Sequence, residues 1–587
     1  MDAYARRIVV AAIRMIRLTL SSLELAAFAA CALLSAPARA QQASADSSCE
    51  GRRISRITVD ANKPPFSGSA RKWQLAARAL GLHHAVTRDD VVRTYLLFKQ
   101  GGVCSTERIR ESERVLRALP FLADATARVS PDSDGQVSVD IKTTDEVPVL
   151  VSGSLRHGVP SALSLGNEDV AGLGLRLVVG GETGGAYRSG GRVEVEDLAP
   201  FDAPIDARAL VERDQLGSQL QADVAHRFLS NVQRGAWDAS FRRGDDFIRL
   251  VRPAGDDEAV EVRSDAWSAS AVVRSTIRST VWLTGPVVLG TRETPVPSVI
   301  LATPQGPAAT EDSAILRRFS SFQSVRAGAL IGVRRVRYVT RTGVDALFAP
   351  QDVMTGWQLG ALAAPGVVSG GGHDVLVASS AALGSVFGSM VNLGDVEAEA
   401  RRDGSSGGWQ SVVANAHGAT YFTLSPRLVA DVQDEFSSIA HSLVPRQLLL
   451  GDPLGGPRGY LGSKIAGARR NVARAELRWA SPNAAHRADI GVALFADAAT
   501  ILAGDAAYGA SASRESIGIS LLGAYPTRSK RVYRIDLAMP LERAGGARFE
   551  VRFTSADPAT QRSMEPADVA RARLAPIPSS LFAWPAP

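Results

Sequence analysis

The stretch GGPRGY at residues 455–460 places an arginine and a tyrosine inside a glycine-rich segment between two predicted strands. Three glycines and a proline are typical of a mobile loop, yet Arg458 and Tyr460 flank Gly459 as though this loop reaches a defined place. A planar guanidinium makes paired, charge-assisted hydrogen bonds to carboxylates. We therefore expect Arg458 to bind acidic side chains.

Two carboxylates on the following predicted strands are the candidate partners of Arg458. Glu476 shares one face of its strand with Arg474 and Arg478, whereas apolar residues occupy the other face. Asp497 belongs to the next strand. If the charged face lines the inside of a barrel, Glu476 points inward, Arg458 bridges Glu476 and Asp497, and the loop folds into the barrel. The alternative is that both carboxylates are ordinary luminal charges.

Motifs for covalent or metal chemistry are weak in this sequence. The run GSSGG at 404–408 formally matches G-x-S-x-G, but it lacks the strand, sharp turn and helix of a nucleophile elbow, which favours a flexible loop. The eight histidines show no H-E-x-x-H or similar ligand spacing. We therefore expect no enzymatic activity, no metal and no cofactor.

Residues 147–554 alternate between apolar and polar side chains at every second position, without helical periodicity. In 533–539 the apolar residues share one face, and Arg534 and Asp536 lie on the other. Phe549, Val551 and Phe553 alternate with charged residues in the same way. Segments of about ten residues with this pattern are typical of a transmembrane β-barrel with an apolar outer face and a wet lumen.

A soluble antiparallel sandwich is the alternative to a barrel. It is disfavoured because charged residues recur on the inner face of strand after strand, where a packed core excludes them. The alternating aromatic pattern of Phe549, Val551 and Phe553 also resembles the last-strand signal of barrels delivered to an outer membrane. At about 25 residues per strand and turn, we expect an all-β membrane protein with about 16 antiparallel strands, although pattern-based counts extend to about 20.

Residues 52–146 predict a small α+β domain in the order strand, helix, helix, strand, strand. The first strand begins at Arg52, a helix follows the capping-box pattern of Thr87 and Asp90, and a second helix follows Ser105. Two alternating segments around a turn at 132–135 predict the last two strands. An additional helical stretch is predicted at about 71–82.

The first forty residues are typical of a secretory signal peptide, with a basic start, an apolar run from Leu23 and a cleavage site after Ala40. The apolar run of about 14 residues is shorter than the roughly 20 that a spanning helix needs, which disfavours a retained anchor. Cleavage removes five arginines against Asp2 and Glu24, which is half of the formal net charge of +6. The mature chain is nearly neutral, so nucleic acid is not an expected partner.

Two cysteines, Cys49 and Cys104, remain after cleavage, in an oxidising compartment. We expect them to form a disulfide that ties the entrance of the α+β domain to its second helix. Two buried thiols are the alternative.

These features resemble the bacterial surface-antigen barrel superfamily, which includes the BamA and TamA assembly factors and the two-partner secretion pores. Residues 52–146 resemble a single POTRA (polypeptide-transport-associated) domain, most specifically in VVRTYLLFKQGGVCSTERIRESERVLRALPFLADATARV. The segment 457–460 is similar to the family's (V/I)RG(F/Y) motif except at its first position. Glu476 matches the family's glutamate on the next strand, and 495–499 match F-x-D-x-G with Ala499 in place of the glycine.

The resemblance implies an outer-membrane protein that inserts or translocates other proteins, with the POTRA domain in the periplasm. That domain would capture an unfolded client by strand addition, and the barrel would open at the seam between its first and last strands. A passive pore or structural barrel without assembly activity is the alternative. The expected partners are outer-membrane lipids, an unfolded outer-membrane or secreted client, and periplasmic assembly proteins.

The predicted organisation is a signal peptide at 1–40, a linker at 41–51, the POTRA domain at 52–146, the barrel at 147–554 and a tail at 555–587. The tail is rich in alanine, arginine and proline and offers little to bury. We therefore expect it to be periplasmic and disordered.

Overall fold

The computed structural model describes residues 49–62, 85–156, 159–182, 190–214, 216–277, 280–303, 306–310, 314–369, 374–484, 487–542, 549–556 and 564–573. The predicted signal peptide, the predicted helical stretch at about 71–82 and most of the predicted tail lie outside the described residues.

The N-terminal domain follows the order strand, helix, helix, strand, strand. Its elements are β1 (Ile54–Asn62), α1 (Asp89–Thr94), α2 (Thr106–Ala118), β2 (Leu122–Pro131) and β3 (Val137–Asp145). Strand β3 is central, parallel to β1 and antiparallel to β2. Ile109 and Leu116 lie on one face of α2 because they recur at helical spacing, and they are buried in the core of the domain.

Cys49 and Cys104 form a disulfide in this domain, with a Cα separation of 5.8 Å. Both residues are buried in the domain core. The backbone N–H of Cys104 also donates to the carbonyl oxygen of Arg52 at 2.7 Å. The covalent bond thus joins the chain before β1 to the chain before α2.

Removing this bond is expected to loosen the N-terminal domain and leave the barrel as it is. Closing a loop of 55 residues stabilises a domain by about 4 kcal/mol in the chain-entropy model. In the full-length protein, Cys49→Ser together with Cys104→Ser should raise hydrogen exchange in β1 and α2. Hydrogen exchange followed by mass spectrometry checks this against the parent, with the barrel strands as the internal control. Unchanged protection of β1 would contradict it.

A closed antiparallel sheet makes up the rest of the fold. Its strands are β4 (Val149–Arg156), β5 (Val159–Asn167), β6 (Leu175–Glu182), β7 (Gly190–Asp197), β8 (Asp206–Asp214), β9 (Gly217–His226), β10 (Gly235–Leu250), β11 (Asp257–Ile277), β12 (Thr280–Thr303), β13 (Gly306–Ala309), β14 (Phe322–Arg341), β15 (Gln351–Ser369), β16 (Asp374–Phe387), β17 (Met390–Asp403), β18 (Trp409–Ser425), β19 (Leu428–Ala440), β22 (Arg469–Ser481), β23 (Asp489–Leu502), β24 (Ala512–Ala524), β25 (Val532–Pro540) and β26 (Glu550–Ala556). Two short strands, β20 (Leu448–Leu449) and β21 (Ala466–Gly467), pair with each other in the loop between β19 and β22.

The wall of the barrel has 20 strands, so the expectation of about 16 is wrong. Strand β13 lies beside one end of β12, but β12 also pairs directly with β14, so β13 adds no strand to the ring. The strands from β4 to β9 are only 8 to 10 residues long. Some turns are also short, since only two residues separate β16 from β17. A strand and its turn therefore contain fewer residues on average than the roughly 25 on which the expectation was based.

The two faces of the wall differ in chemistry. Leu494, Ile519 and Leu537 are paired neighbours on three successive strands, and all three are exposed on the outer face. The alternate residues point into the barrel, among them Glu476 and Asp497, whose side chains are buried. An apolar outer band around a charged interior is the pattern of a transmembrane barrel.

Among the described residues, no helix is both long enough and apolar enough to cross a membrane.

Strand β26 is the last strand of the barrel and borders the first. Val551 and Phe553 pair with exposed apolar residues of β25 on the outer face, and Phe549 directly before the strand is also exposed. Strand β26 closes the ring by pairing with β4 at five positions, from Glu550 to Thr554. We call this junction the seam.

Part of the C-terminal tail is folded, which corrects the prediction that 555–587 is disordered. Residues 564–573 contain helix α3 (Ala567–Ala572), and Val569 on this helix is completely buried against residues of β18 and β19. The prediction considered only what the tail itself can bury. A 20-stranded barrel has a lumen too wide for its own side chains to fill, and its wall offers partners to an entering segment.

Candidate functional site

The loop at 441–468, between β19 and β22, turns back into the barrel. Strands β20 and β21 form its base, and the 455–460 stretch forms its tip. Gly459 has a φ of +93°, a conformation that L side chains rarely adopt, and an added Cβ would lie 3.3 Å from the Cδ of Pro540 on β25. The backbone turn therefore favours glycine at this position, and an added side chain would crowd the proline ring on the wall.

Arg458 is the side chain that the tip brings to the wall. Its Nε and Nη2 donate to the two oxygens of the Asp497 carboxylate at 2.8 and 2.6 Å. The backbone N–H of Arg458 donates to the same carboxylate at 2.9 Å, and Nη1 lies 3.4 Å from Oε2 of Glu476. The Asp497 side chain is fully buried, so the guanidinium neutralises a carboxylate that has no access to bulk water.

Glu476 is shared between two arginines. Arg534 on β25 donates to Glu476 through Nη2 at 2.6 Å and through Nη1 at 3.1 Å. Its Nε donates to Asp536 at 2.6 Å. Arg534 is not among the predicted site residues, although its place on the charged face of β25 is visible in the sequence. Glu476, Asp497 and Asp536 each have an arginine within ion-pair distance, whereas Asp431, the neighbour of Glu476 on β19, accepts from Gln433.

Phe495 completes the surroundings of the guanidinium. The Cζ atom of Arg458 lies 3.5 Å from the centroid of the buried Phe495 ring, which is a cation–π contact. Two residues further along β23, Asp497 receives the hydrogen bonds. Ala499 is fully buried in the same apolar cluster as Tyr460. Phe495 and Asp497 therefore contact Arg458 directly, and Ala499 belongs to the cluster that contains Tyr460.

Two further hydrogen bonds tie the loop to neighbouring strands. The Tyr460 hydroxyl donates to the carbonyl oxygen of Glu515 on β24 at 2.7 Å. The backbone N–H of Leu461 donates to the Glu550 carboxylate on β26 at 2.9 Å. Hydrogen bonds thereby join the loop to β22, β23, β24 and β26, the last of which borders the seam, and Gly459 approaches Pro540 on β25.

The contacts of this site hold the loop in a fixed position against the wall. Buried opposite charges that satisfy one another are costly to separate, because each would be left without a partner in a medium of low polarity. Release of the loop requires the simultaneous loss of several charge-assisted hydrogen bonds around Arg458. We call the contacts of Arg458 with Asp497 and Glu476 the loop lock.

The N-terminal domain is fastened to the barrel at the turn between β24 and β25. The Nζ atom of Lys530 donates to the carbonyl oxygens of Arg117 and Leu119, both at 2.6 Å, at the end of α2. The Glu146 carboxylate accepts from the Ser529 hydroxyl at 2.6 Å and from the Lys530 backbone N–H at 3.1 Å. Burial raises the pKa of the Glu146 carboxyl, and these donors oppose that rise. This junction was not predicted from the sequence.

Replacing Lys530 by methionine is expected to loosen this junction, because a cation at the C-terminal end of a helix satisfies carbonyls that have no partner within the helix. Hydrogen exchange at the end of α2 should rise severalfold in the full-length protein. Lys464→Met is the matched control, since Lys464 is half exposed and contacts Gly255 and Asp257 at a distant loop. Equal exchange in the two variants would show that Lys530 does not hold the domain.

The G-x-S-x-G match at 404–408 lies in the turn after β17. The hydroxyls of Ser405 and Ser406 both donate to the Asp403 carboxylate at 2.8 Å. These are local hydrogen bonds of a tight turn between two strands.

No family model and no curated protein matches this sequence. The solved structures that resemble it include BamA from Haemophilus ducreyi lacking POTRA domains 1–3, at 12% identity over 86% of this chain and 84% of that chain, with a TM-score of 0.36. CdiB from Escherichia coli is similar at 10% identity over 89% of this chain and 93% of that chain, with a TM-score of 0.44. CdiB from Acinetobacter baumannii is 12% identical over 86% of this chain and 74% of that chain, with a TM-score of 0.32. Such low identities do not bear on activity.

Proposed function

We propose that this chain is an outer-membrane protein that assembles or translocates other proteins without acting as an enzyme. In this proposal the N-terminal domain is a periplasmic POTRA domain that binds unfolded clients. The barrel inserts them into the membrane or exports them.

The observation that carries the proposal is the attachment of the inward-folded loop to the strands beside the seam. Arg458 fixes the tip to β22 and β23, and Leu461 fixes it to Glu550 on β26. A shift of β26 relative to β22 and β23 would therefore strain or break a contact of the loop, and in this proposal such a shift accompanies opening of the seam. A passive channel does not need such a connection between a luminal loop and the last strand.

The seam itself supports opening at this place. Within the described residues, β26 and β4 pair at five positions, whereas β25 pairs with β26 at seven and β4 pairs with β5 at eight. Each unsatisfied backbone group in lipid costs several kcal/mol, so the junction with the fewest pairs is the cheapest to separate. An opened seam would offer strand edges on which a client strand could pair.

The N-terminal domain offers an edge for client capture. Strand β2 lies at the edge of its sheet, with β3 on one side. On α2, the Glu113 carboxylate accepts a hydrogen bond from the backbone N–H of Ala127 on β2 at 2.6 Å. A side chain that caps an edge strand protects it from unwanted pairing. A client strand would take the place of Glu113 and gain main-chain hydrogen bonds that tolerate many sequences.

Conditional depletion of the protein, followed by quantitative proteomics of the outer membrane, tests the proposal. Loss of many other barrels would support an assembly role, and loss of one secreted protein would support a dedicated exporter. Unchanged proteins together with altered permeability would contradict both and support a passive pore, which is the second candidate function. Re-expression of the wild-type chain from a plasmid is the control for each outcome.

A further inference from the structure

We propose that the inner wall formed by β17, β18, β19 and β22 is a binding site for a short amphipathic helix, and that residues 564–573 occupy it as a built-in plug. The segment lies beyond the last strand and returns into the lumen. The inference concerns the conduction path and holds whether the barrel inserts clients or exports them.

A buried ion pair anchors the segment. Asp568 on α3 accepts hydrogen bonds from Nη1 and Nη2 of Arg470 on β22 at 2.5 and 3.2 Å. Both side chains are at most 2% exposed. Asp568 also accepts from the backbone N–H of Leu449 on β20 at 2.8 Å. A single carboxylate of the tail therefore binds both the wall and the base of the inward-folded loop.

A second charged contact lies at the other end of the segment. Arg573 donates to Glu399 at 3.2 Å and to Glu397 at 3.1 Å, both on β17. Its Nε also donates to Glu565 at 2.9 Å, within the segment itself. The wall thus presents one arginine and two glutamates, and the segment presents an aspartate and an arginine at the matching positions.

Apolar contacts fill the space between the two charged contacts. Val569 and Ala572 on α3 are buried in one cluster with Val413, Ile439, Leu448 and Ala468. At the tip of the loop, a Cβ added to Gly455 would lie 2.9 Å from the Cβ of Pro566. The tail packs against the same glycine-rich stretch that carries Arg458.

The chemical class of the ligand follows from these contacts. The site fits a helix of six residues that carries an acidic side chain and a small apolar face and is followed by a basic side chain five residues after the acidic one. A barrel of this strand number has a lumen wide enough for water to pass, so a segment held in it narrows the path for ions. When the segment leaves, the lumen opens and the base of the loop loses one of its contacts.

Conductance of the purified full-length protein in planar bilayers tests the proposal. Asp568→Arg combined with Val569→Asp should release the segment and raise the mean current about tenfold at equal protein load. Arg571→Glu is the matched control, because Arg571 lies on the exposed side of the same short helix. A synthetic peptide of residues 564–573 should lower the current of the released variant, and the same peptide carrying Asp568→Arg should not.

A second variant covers the case in which the released variant does not fold. Arg470→Asp with Asp568→Arg exchanges the two charges of the buried pair, so the segment should stay in place and the current should be close to that of the wild type. Unchanged current in the released variant, with its tail newly open to trypsin, would overturn the proposal. So would a native peptide without effect. These measurements contain no client, so a negative result here leaves the assembly proposal to be decided by the depletion experiment.

Discussion

Replacement of Arg458 by alanine is expected to give a barrel that still inserts into the membrane but is heat-labile and inactive. The change removes all side-chain hydrogen bonds from loop to wall at this point and leaves Asp497 charged and fully buried. Breaking a buried pair by removing one partner costs about 3 to 5 kcal/mol, and water in the lumen lowers that cost. Heat-dependent mobility on gels measures the stability. Cleavage by external protease within 451–465 reports release of the loop, and complementation of the depletion strain reports activity.

Three further variants separate the cost of leaving a buried carboxylate unpaired from the loss of the contacts that hold the loop. Arg458→Lys should restore stability only in part, because a point charge does not reproduce the two parallel hydrogen bonds to Asp497. Arg458→Ala combined with Asp497→Asn removes the buried charge, so it should regain heat stability while the loop stays open to protease. Arg243→Ala is the matched control, since Arg243 forms an exposed ion pair with Asp265 that is worth at most about 1 kcal/mol. Full activity and stability of Arg458→Ala would show that the loop lock has no role.

The lock was predictable because its members lie on strands whose face is set by alternation. Once the charged face of β22 is assigned to the lumen, Glu476 must point inward, and Asp497 on the adjacent strand follows. The same reasoning places Arg534 inside, but it does not select Arg534 from the other inward arginines. That choice depends on the stagger between β22 and β25, which pair with intervening strands and not with each other. Alternation fixes the face of a residue and leaves its height in the barrel open.

The strand number and the tail were mispredicted for different physical reasons. Strand number depends on the lengths of individual strands and turns. The strands alone vary from 8 residues in β4 to 24 in β12, so dividing the chain length by one average length per strand gives the wrong number of strands. The tail was judged by its own composition, but its helix is stabilised by partners on the wall, namely Arg470, Glu397 and Glu399. Local sequence cannot reveal a segment whose stability comes from distant residues.

A covalent tether across the seam is expected to abolish activity while leaving the folded barrel intact. Ser152 and Thr554 are directly paired across β4 and β26, and both are small enough for cysteine to replace them with little change in packing. Ser152→Cys with Thr554→Cys should therefore fail to complement the depletion strain when oxidised and should complement it when reduced. The native bond between Cys49 and Cys104 is buried, which shields it from mild reductant.

The matched control places the same tether inside the wall. Ser240 and Ser268 are paired on β10 and β11, with their hydroxyls 2.8 Å apart. Ser240→Cys with Ser268→Cys should complement under both conditions, because that junction does not have to part. If the seam is a passive closure, the two tethered proteins will behave alike in the assay, and opening between β4 and β26 is then not the step that moves a client. If only the seam tether blocks activity, then the five pairs that close this barrel are also the pairs that must separate for it to work, and the contact from Leu461 to Glu550 links that separation to the loop lock.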